Sequence, residues 1–308
     1  MSYRNALPQL SGDRLFVTDA GLETDLIFHK GLELPEFAAF DVLGRDGGKQ
    51  ALHDYFDGFV AVAGEHGAGL IVDTATWRAN RDWANRIGYS DQELRAANLD
   101  AVALAEEVRS KAANDGAPVL IDGVLGPRGD GYVAENLMTS DEAERYHSLQ
   151  IETFADTAAD MVSAITMTYV EEPIGIARAA KAAGMPSVVS FTVETDGRLP
   201  SGQELGAAIE RVDSETDSAP AYYMVNCAHP THFAEVLAQG GDWRDRIGGI
   251  RANASRMSHA ELDEGDPGEL ASEYRNDLRP HLTNLCVLGG CCGTDHRHVG
   301  EMARSWSS

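Results

Sequence analysis

Gly69-Leu70-Ile71-Val72-Asp73-Thr74-Ala75-Thr76 reads as a buried strand that ends in small polar residues just before Trp77. Its apolar residues run on without strict alternation, the pattern of a parallel strand covered on both faces. Working outward, the same form recurs at Arg14–Ala20 (RLFVTDA) and Pro118–Leu125 (PVLIDGVL). It returns at Met161–Thr168, Ser187–Val193, Ala221–Asn226, Ile247–Asn253 and Asn284–Gly289. Helical spacing fills the intervals, over Asp91–Lys111, Ser140–Ala159, Glu172–Ala183 and Thr231–Ala238, with Ser140 as the expected cap of its helix. Eight strands alternating with helices in 308 residues predict an α/β fold, a (β/α)8 TIM-type barrel, with residues 1–308 as one domain. The alternative is a doubly wound open sheet. No G-x-G-x-x-G follows the first strand, which argues against dinucleotide binding.

The formal net charge is -24, from 25 Lys and Arg against 49 Asp and Glu. Such a surface repels phosphate backbones and anionic lipid, so neither nucleic acid nor membrane is an expected partner. No stretch reaches the roughly 18 apolar residues of a membrane span, and Met1–Gln9 lacks a long apolar segment. A reducing cytoplasm is the expected setting, in which thiols serve as metal ligands or core residues. The sequence leaves open a homo-oligomer.

In a barrel of this kind chemistry sits at the C-terminal strand ends. Those ends carry Asp19, Thr74 and Thr76, Thr166 and Thr168, Glu194, Asn226 with Cys227, Asn253, and Cys291 with Cys292. Asp19, Thr166, Glu194 and Asn226 are the candidate substrate-binding residues. Cys227, Cys291 and Cys292 are the candidate metal ligands. Three thiolates from two strand ends would hold zinc with a fourth position open, the arrangement of catalytic rather than structural zinc. Glycines on both sides of the Cys291–Cys292 pair let the backbone bend so that both side chains reach one ion. Cys286 falls inside the eighth run and reads as a small core residue. His229 and His232 are alternative ligands or members of a loop and helix start, while His296 and His298 fall on the final helix. Trp77, Trp83 and Tyr89 either pack or shape a pocket for a cationic ligand.

These motifs resemble the zinc-dependent homocysteine S-methyltransferase family. Thr18–Leu26 (TDAGLETDL) is similar to the family's D-G-G/A-x-x-T-E-L opening, and Ser190–Leu205 to its S-F-x-x-x-D-G-x-x-L-x-x-G loop. Val225-Asn226-Cys227 is similar to its V-N-C, and Gly289–Thr294 (GGCCGT) to its G-G-C-C-G. The resemblance implies zinc on Cys227, Cys291 and Cys292, and Asp19 in contact with an amino acid acceptor. It implies a small-molecule thiol acceptor, homocysteine giving methionine, and an onium methyl donor, for which a sulfonium such as S-methylmethionine is favoured over betaine. The alternatives are the same chemistry on a different thiol acceptor or a zinc-binding homologue without turnover. No catalytic residue beyond the zinc site is expected. One departure is plain. Ile165 stands where the family has a glutamate at the end of the fourth strand, with Glu171, Glu172 and Glu194 as the candidate substitutes.

Overall fold

In the computed structural model, which describes residues 2–112, 116–257 and 265–306, eight parallel strands close into a barrel in chain order. They are β1 (Phe16–Val17), β2 (Gly69–Asp73), β3 (Val119–Leu125), β4 (Met161–Met167), β5 (Ser187–Phe191), β6 (Pro220–Asn226), β7 (Ile247–Ala252) and β8 (Val287–Gly290). β1 pairs with both β2 and β8, which seals the cylinder. β1 is shorter than its apolar run predicts. Its extended backbone continues, because Thr18 N–H donates to Leu288 O and Gly290 N–H donates to Asp19 O.

A helix follows each strand: Gly48–His66, Asp91–Ala112, Ser140–Ala155, Glu171–Ala182, Leu205–Thr216, Pro230–Ala238, Pro267–Glu273 and His296–Trp306. The helix Ser140–Ala155 corrects one expectation. Its cap is Thr139, which accepts from Glu142 N–H while the Glu142 carboxylate accepts from Thr139 N–H. Both Thr139 and Ser140 are cap-type residues, but only Thr139 has an acid three positions on. The polar connection 254–274 holds the helix Pro267–Glu273, and its stretch 258–264 lies outside the described residues. No described helix is long and apolar enough to cross a membrane.

Alternation along the strands sorts the interior into layers. Phe16, Ile71, Leu120, Val124, Met161, Ile165, Val188, Tyr222, Met224 and Val287 fill the barrel's inner cluster. Each such side chain, once buried, contributes on the order of 1.5–3 kcal/mol. Space for them comes from residues without a side chain: a Cβ on Gly69 would run into the Phe16 ring. The other strand faces pack against the helices in a second, larger cluster. Polar side chains are buried among the inner cluster at Asp73 on β2, Asp122 on β3 and Arg251 on β7, while Val124 and Ile165 keep the rim-ward ends of β3 and β4 apolar. Cys286 lies just before β8 rather than inside it. It packs against the inner cluster, and burial pushes its thiol up to about 12.

Candidate active site and metal centre

A cavity of about 300 Å³ opens at the C-terminal rim. Cys227 follows β6 and Cys291–Cys292 follows β8. Their ligand atoms all lie within 4.8 Å of one another, and they are the group that meets this criterion for sharing a metal among the described residues. Three sulfurs about 2.3 Å from one tetrahedral ion would stand about 3.8 Å apart, so the cluster fits zinc after small movements. The structure joins Cys227 and Cys291 as a disulfide and leaves Cys292 as a thiol, where sequence reading expects three free thiols. The physical reason is proximity: the two Cα atoms are 5.4 Å apart, within disulfide range. A disulfide and a metal compete for the same sulfurs, so reduction must precede ligation. His229 and His232 sit at the start of the helix Pro230–Ala238, outside this cluster. His229 Nε2 instead pairs with Glu273.

Tyr132 overhangs the cluster, its hydroxyl 3.4 Å from Cys292 Sγ and 3.9 Å from Cys227 Sγ. Burial, and after it the neighbouring Cys292, pushes this phenol well above its ordinary range. Cys227 adopts φ 52 and Thr166 φ 66, left-handed conformations that non-glycine residues enter at a cost of about 1 kcal/mol or more. Asn226 holds that geometry. Its Oδ1 accepts from Thr166 N–H at 3.0 Å and from Ser190 Oγ at 2.6 Å, and its Nδ2 donates to Thr166 Oγ1 at 2.8 Å. Thr166 and Asn226 therefore line the cavity with their polar groups turned toward each other.

Asp19 also lines the cavity, but both its carboxylate oxygens are engaged. Oδ1 accepts from Arg251 Nη2, and Oδ2 accepts from Tyr55 Oη at 3.2 Å. Arg251 reaches Asp73 with its other terminal nitrogen. Burial raises the Asp19 carboxyl well above its usual range against the opposing pull of Arg251, and it raises Asp122 likewise.

The family model described as homocysteine S-methyltransferase matches residues 16–306. The chain belongs to that family. It is a methyltransferase enzyme. Three solved structures of the homocysteine methyltransferase MmuM from Escherichia coli are similar in fold. The oxidized form is 17% identical with a TM-score of 0.76, covering 97% of this chain and 98% of that one. The metallated form is 15% identical at 0.74, covering 97% and 99%. The apo form is 15% identical at 0.65, covering 95% and 96%.

Within that family frame, three expectations about acidic residues change. Glu194 is half-buried but does not line the cavity, because the chain turns away after β5: its N–H donates to Arg198 O at 2.7 Å. Glu172 is buried against His147 at 2.9 Å, and Glu171 pairs with Arg211. None of the three replaces the acid missing at Ile165, which itself faces the cavity. Of the aromatic candidates, Trp77 lines the cavity, Trp83 packs under two arginines, and Tyr89 bonds Asp41. Sequence reading missed Glu23, Arg78, Tyr132 and Arg251, all of which line the cavity. Arg251 alone left a signal, a charge set inside an apolar run.

Proposed function

We propose that this enzyme transfers a methyl group from an onium donor to the thiol of homocysteine, with zinc held by Cys227, Cys291 and Cys292 after reduction. The observation that carries this reading is the convergence of three sulfurs from two strand ends on the wall of one cavity. When bound, zinc would strip the acceptor thiol, ordinarily of pKa about 8.5, of its proton near neutral pH and keep its sulfur nucleophilic.

The remaining work falls to the chain. The left-handed turn at Cys227 and the hydrogen bonds of Asn226 fix the sulfur donors at the cavity wall. Tyr132 covers them from the rim loop, which limits the access of water. Trp77 offers an aromatic face to the cationic donor. In the transfer the acceptor sulfur's electron pair forms the new S–C bond. The bond from the methyl carbon to the onium atom breaks, and that atom keeps the pair and leaves neutral. Alignment of sulfur, methyl and leaving atom is the chief catalytic demand. A sulfonium such as S-methylmethionine is the favoured donor, ahead of betaine.

The test reduces the protein, adds zinc, removes excess metal, and measures zinc content and methionine formation from homocysteine. S-methylmethionine, betaine and dimethylsulfoniopropionate serve as donors. One zinc per chain and turnover are expected, and Cys291→Ala is expected to lose both. Full zinc retention by Cys291→Ala would remove the cysteine cluster as the metal site.

A further inference from the structure

Two features of the cavity leave the acceptor's amino acid end without the partners that the resemblance implies. Asp19 has given both oxygens to Arg251 and Tyr55. Ile165 replaces the acid on β4 with an alkyl group. Yet the same cavity carries an arginine whose donors are unused. Arg78 is 8% exposed, and its Nε and Nη1 are buried without a hydrogen-bond partner among the described residues. Its guanidinium lies 3.5 Å from the Trp83 ring centroid and 4.6 Å from that of Trp77. Stacking of this kind fixes the plane of the fork. A buried guanidinium with idle donors on a cavity wall is matched by a planar anion, and a carboxylate accepts two parallel bonds from it.

Glu23 lines the same cavity and is half-buried. Burial raises its carboxyl above the usual range, and the charges of Arg78 and then Arg251 oppose that rise. Asp130 also lines the cavity, but it is exposed and accepts from Tyr132 N–H at 2.8 Å. Asp73 gives Oδ2 to Arg251, while its buried Oδ1 has no hydrogen-bond partner among the described residues. Glu23 is thus a half-buried lining carboxylate, outside the Arg251 ion pairs, that could meet an ammonium group next to a carboxylate held by Arg78.

We propose that Arg78 and Glu23 are specificity-determining residues that clamp the α-amino acid end of the acceptor, Arg78 taking the carboxylate and Glu23 the ammonium. The proposal rests on the methyl-transfer reading for the identity of the acceptor, but the clamp itself can be measured without turnover. L-norleucine presents the amino acid end and has no sulfur. Its binding to the full, reduced chain, with and without zinc, can be followed by tryptophan fluorescence, because Trp77 and Trp83 flank Arg78. Arg78→Gln and Glu23→Gln are each expected to weaken it by about 10- to 100-fold, the worth of a charge-assisted hydrogen bond. Arg78→Lys should recover part of the loss.

Acceptor analogues then separate the two ends. Against γ-mercaptobutyrate, which lacks the amine, Arg78→Gln should raise KM and Glu23→Gln should not. Against homocysteamine, which lacks the carboxylate, the pattern should invert. Thermal melting identifies a variant that fails to fold, and in that event the isosteric Glu23→Gln carries the test. Norleucine affinity unchanged in Glu23→Gln but lost in Asp19→Asn would return the ammonium to Asp19 and overturn the clamp. Turnover of homocysteine that ignores both substitutions overturns the clamp and leaves methyl transfer standing. Norleucine binding that needs both residues, without turnover on any donor, keeps the clamp and removes methyl transfer.

Discussion

Arg251→Met is the most informative perturbation of the barrel interior. Arg251 is the cation bonded to Asp19 and Asp73, with Asp122 beside them, all nearly buried. Methionine fills much of the same volume, so packing changes little and the charge is what is lost. Removing one partner of a buried ion pair costs about 3–5 kcal/mol, because the other is left uncompensated. That is a large share of a typical total stability of about 5–15 kcal/mol. With an unfolding entropy of about 2.1 cal/mol/K per residue, a chain of 308 residues would lose on the order of 5–8 °C in Tm.

The pH dependence has a definite sign. Burial raises the Asp19 and Asp122 carboxyls, and Arg251 opposes the rise in both. Without Arg251 both rise further. A carboxyl raised in the folded state holds its proton longer there than in the unfolded chain. Its contribution is therefore complete below the unfolded value of about 3.9 and disappears as pH rises through the folded value, at up to about 1.4 kcal/mol per unit. Urea unfolding of the reduced protein at pH 8 and pH 5.5 measures this. The variant's deficit should be several kcal/mol at the higher pH and clearly smaller at the lower. A deficit below about 1 kcal/mol at pH 8, or one equal at both pH values, would refute the reasoning.

Three other substitutions probe the cavity wall and the frame. Ile165→Glu inserts a carboxylate into the inner apolar cluster and should cost about 1–3 kcal/mol in urea unfolding, without lowering the KM for homocysteine. Gly126→Ala places a Cβ against the Trp77 carbonyl and ring, so it should displace the Trp77–Arg78 wall. Steady-state assays should then show a raised KM for donor or acceptor. Thr139→Ala removes the capping box of the helix Ser140–Ala155 and should lower stability by about 1 kcal/mol with kcat unchanged.

The barrel was legible because parallel strands covered on both faces must be apolar along their whole length, and the eight runs stand out against amphipathic helices. The three cysteines were legible because each lies just beyond such a run. Side-chain direction in the loops was not. Glu194 follows a strand as directly as Cys227 does, yet the turn it makes to Arg198 carries it off the cavity. Glu23, Arg78 and Tyr132 sit on loops whose paths are set by tertiary packing, such as the close approach of Gly126 to the Trp77 backbone. The engagement of Asp19 could not be read at all, since its partner Arg251 lies 232 residues away.

The pairing of β1 with β8 has a consequence for biogenesis. β8, which the Cys291–Cys292 pair follows, is made after the other seven barrel strands, and it docks between the first strand and β7. Cys227 is made long before its two companions and has no thiol neighbour to share an ion with until β8 is in place. If the proposed zinc site holds, metal uptake is a late event that reports closure of the whole cylinder, and a nascent chain stalled short of Val287 should not bind zinc through these cysteines.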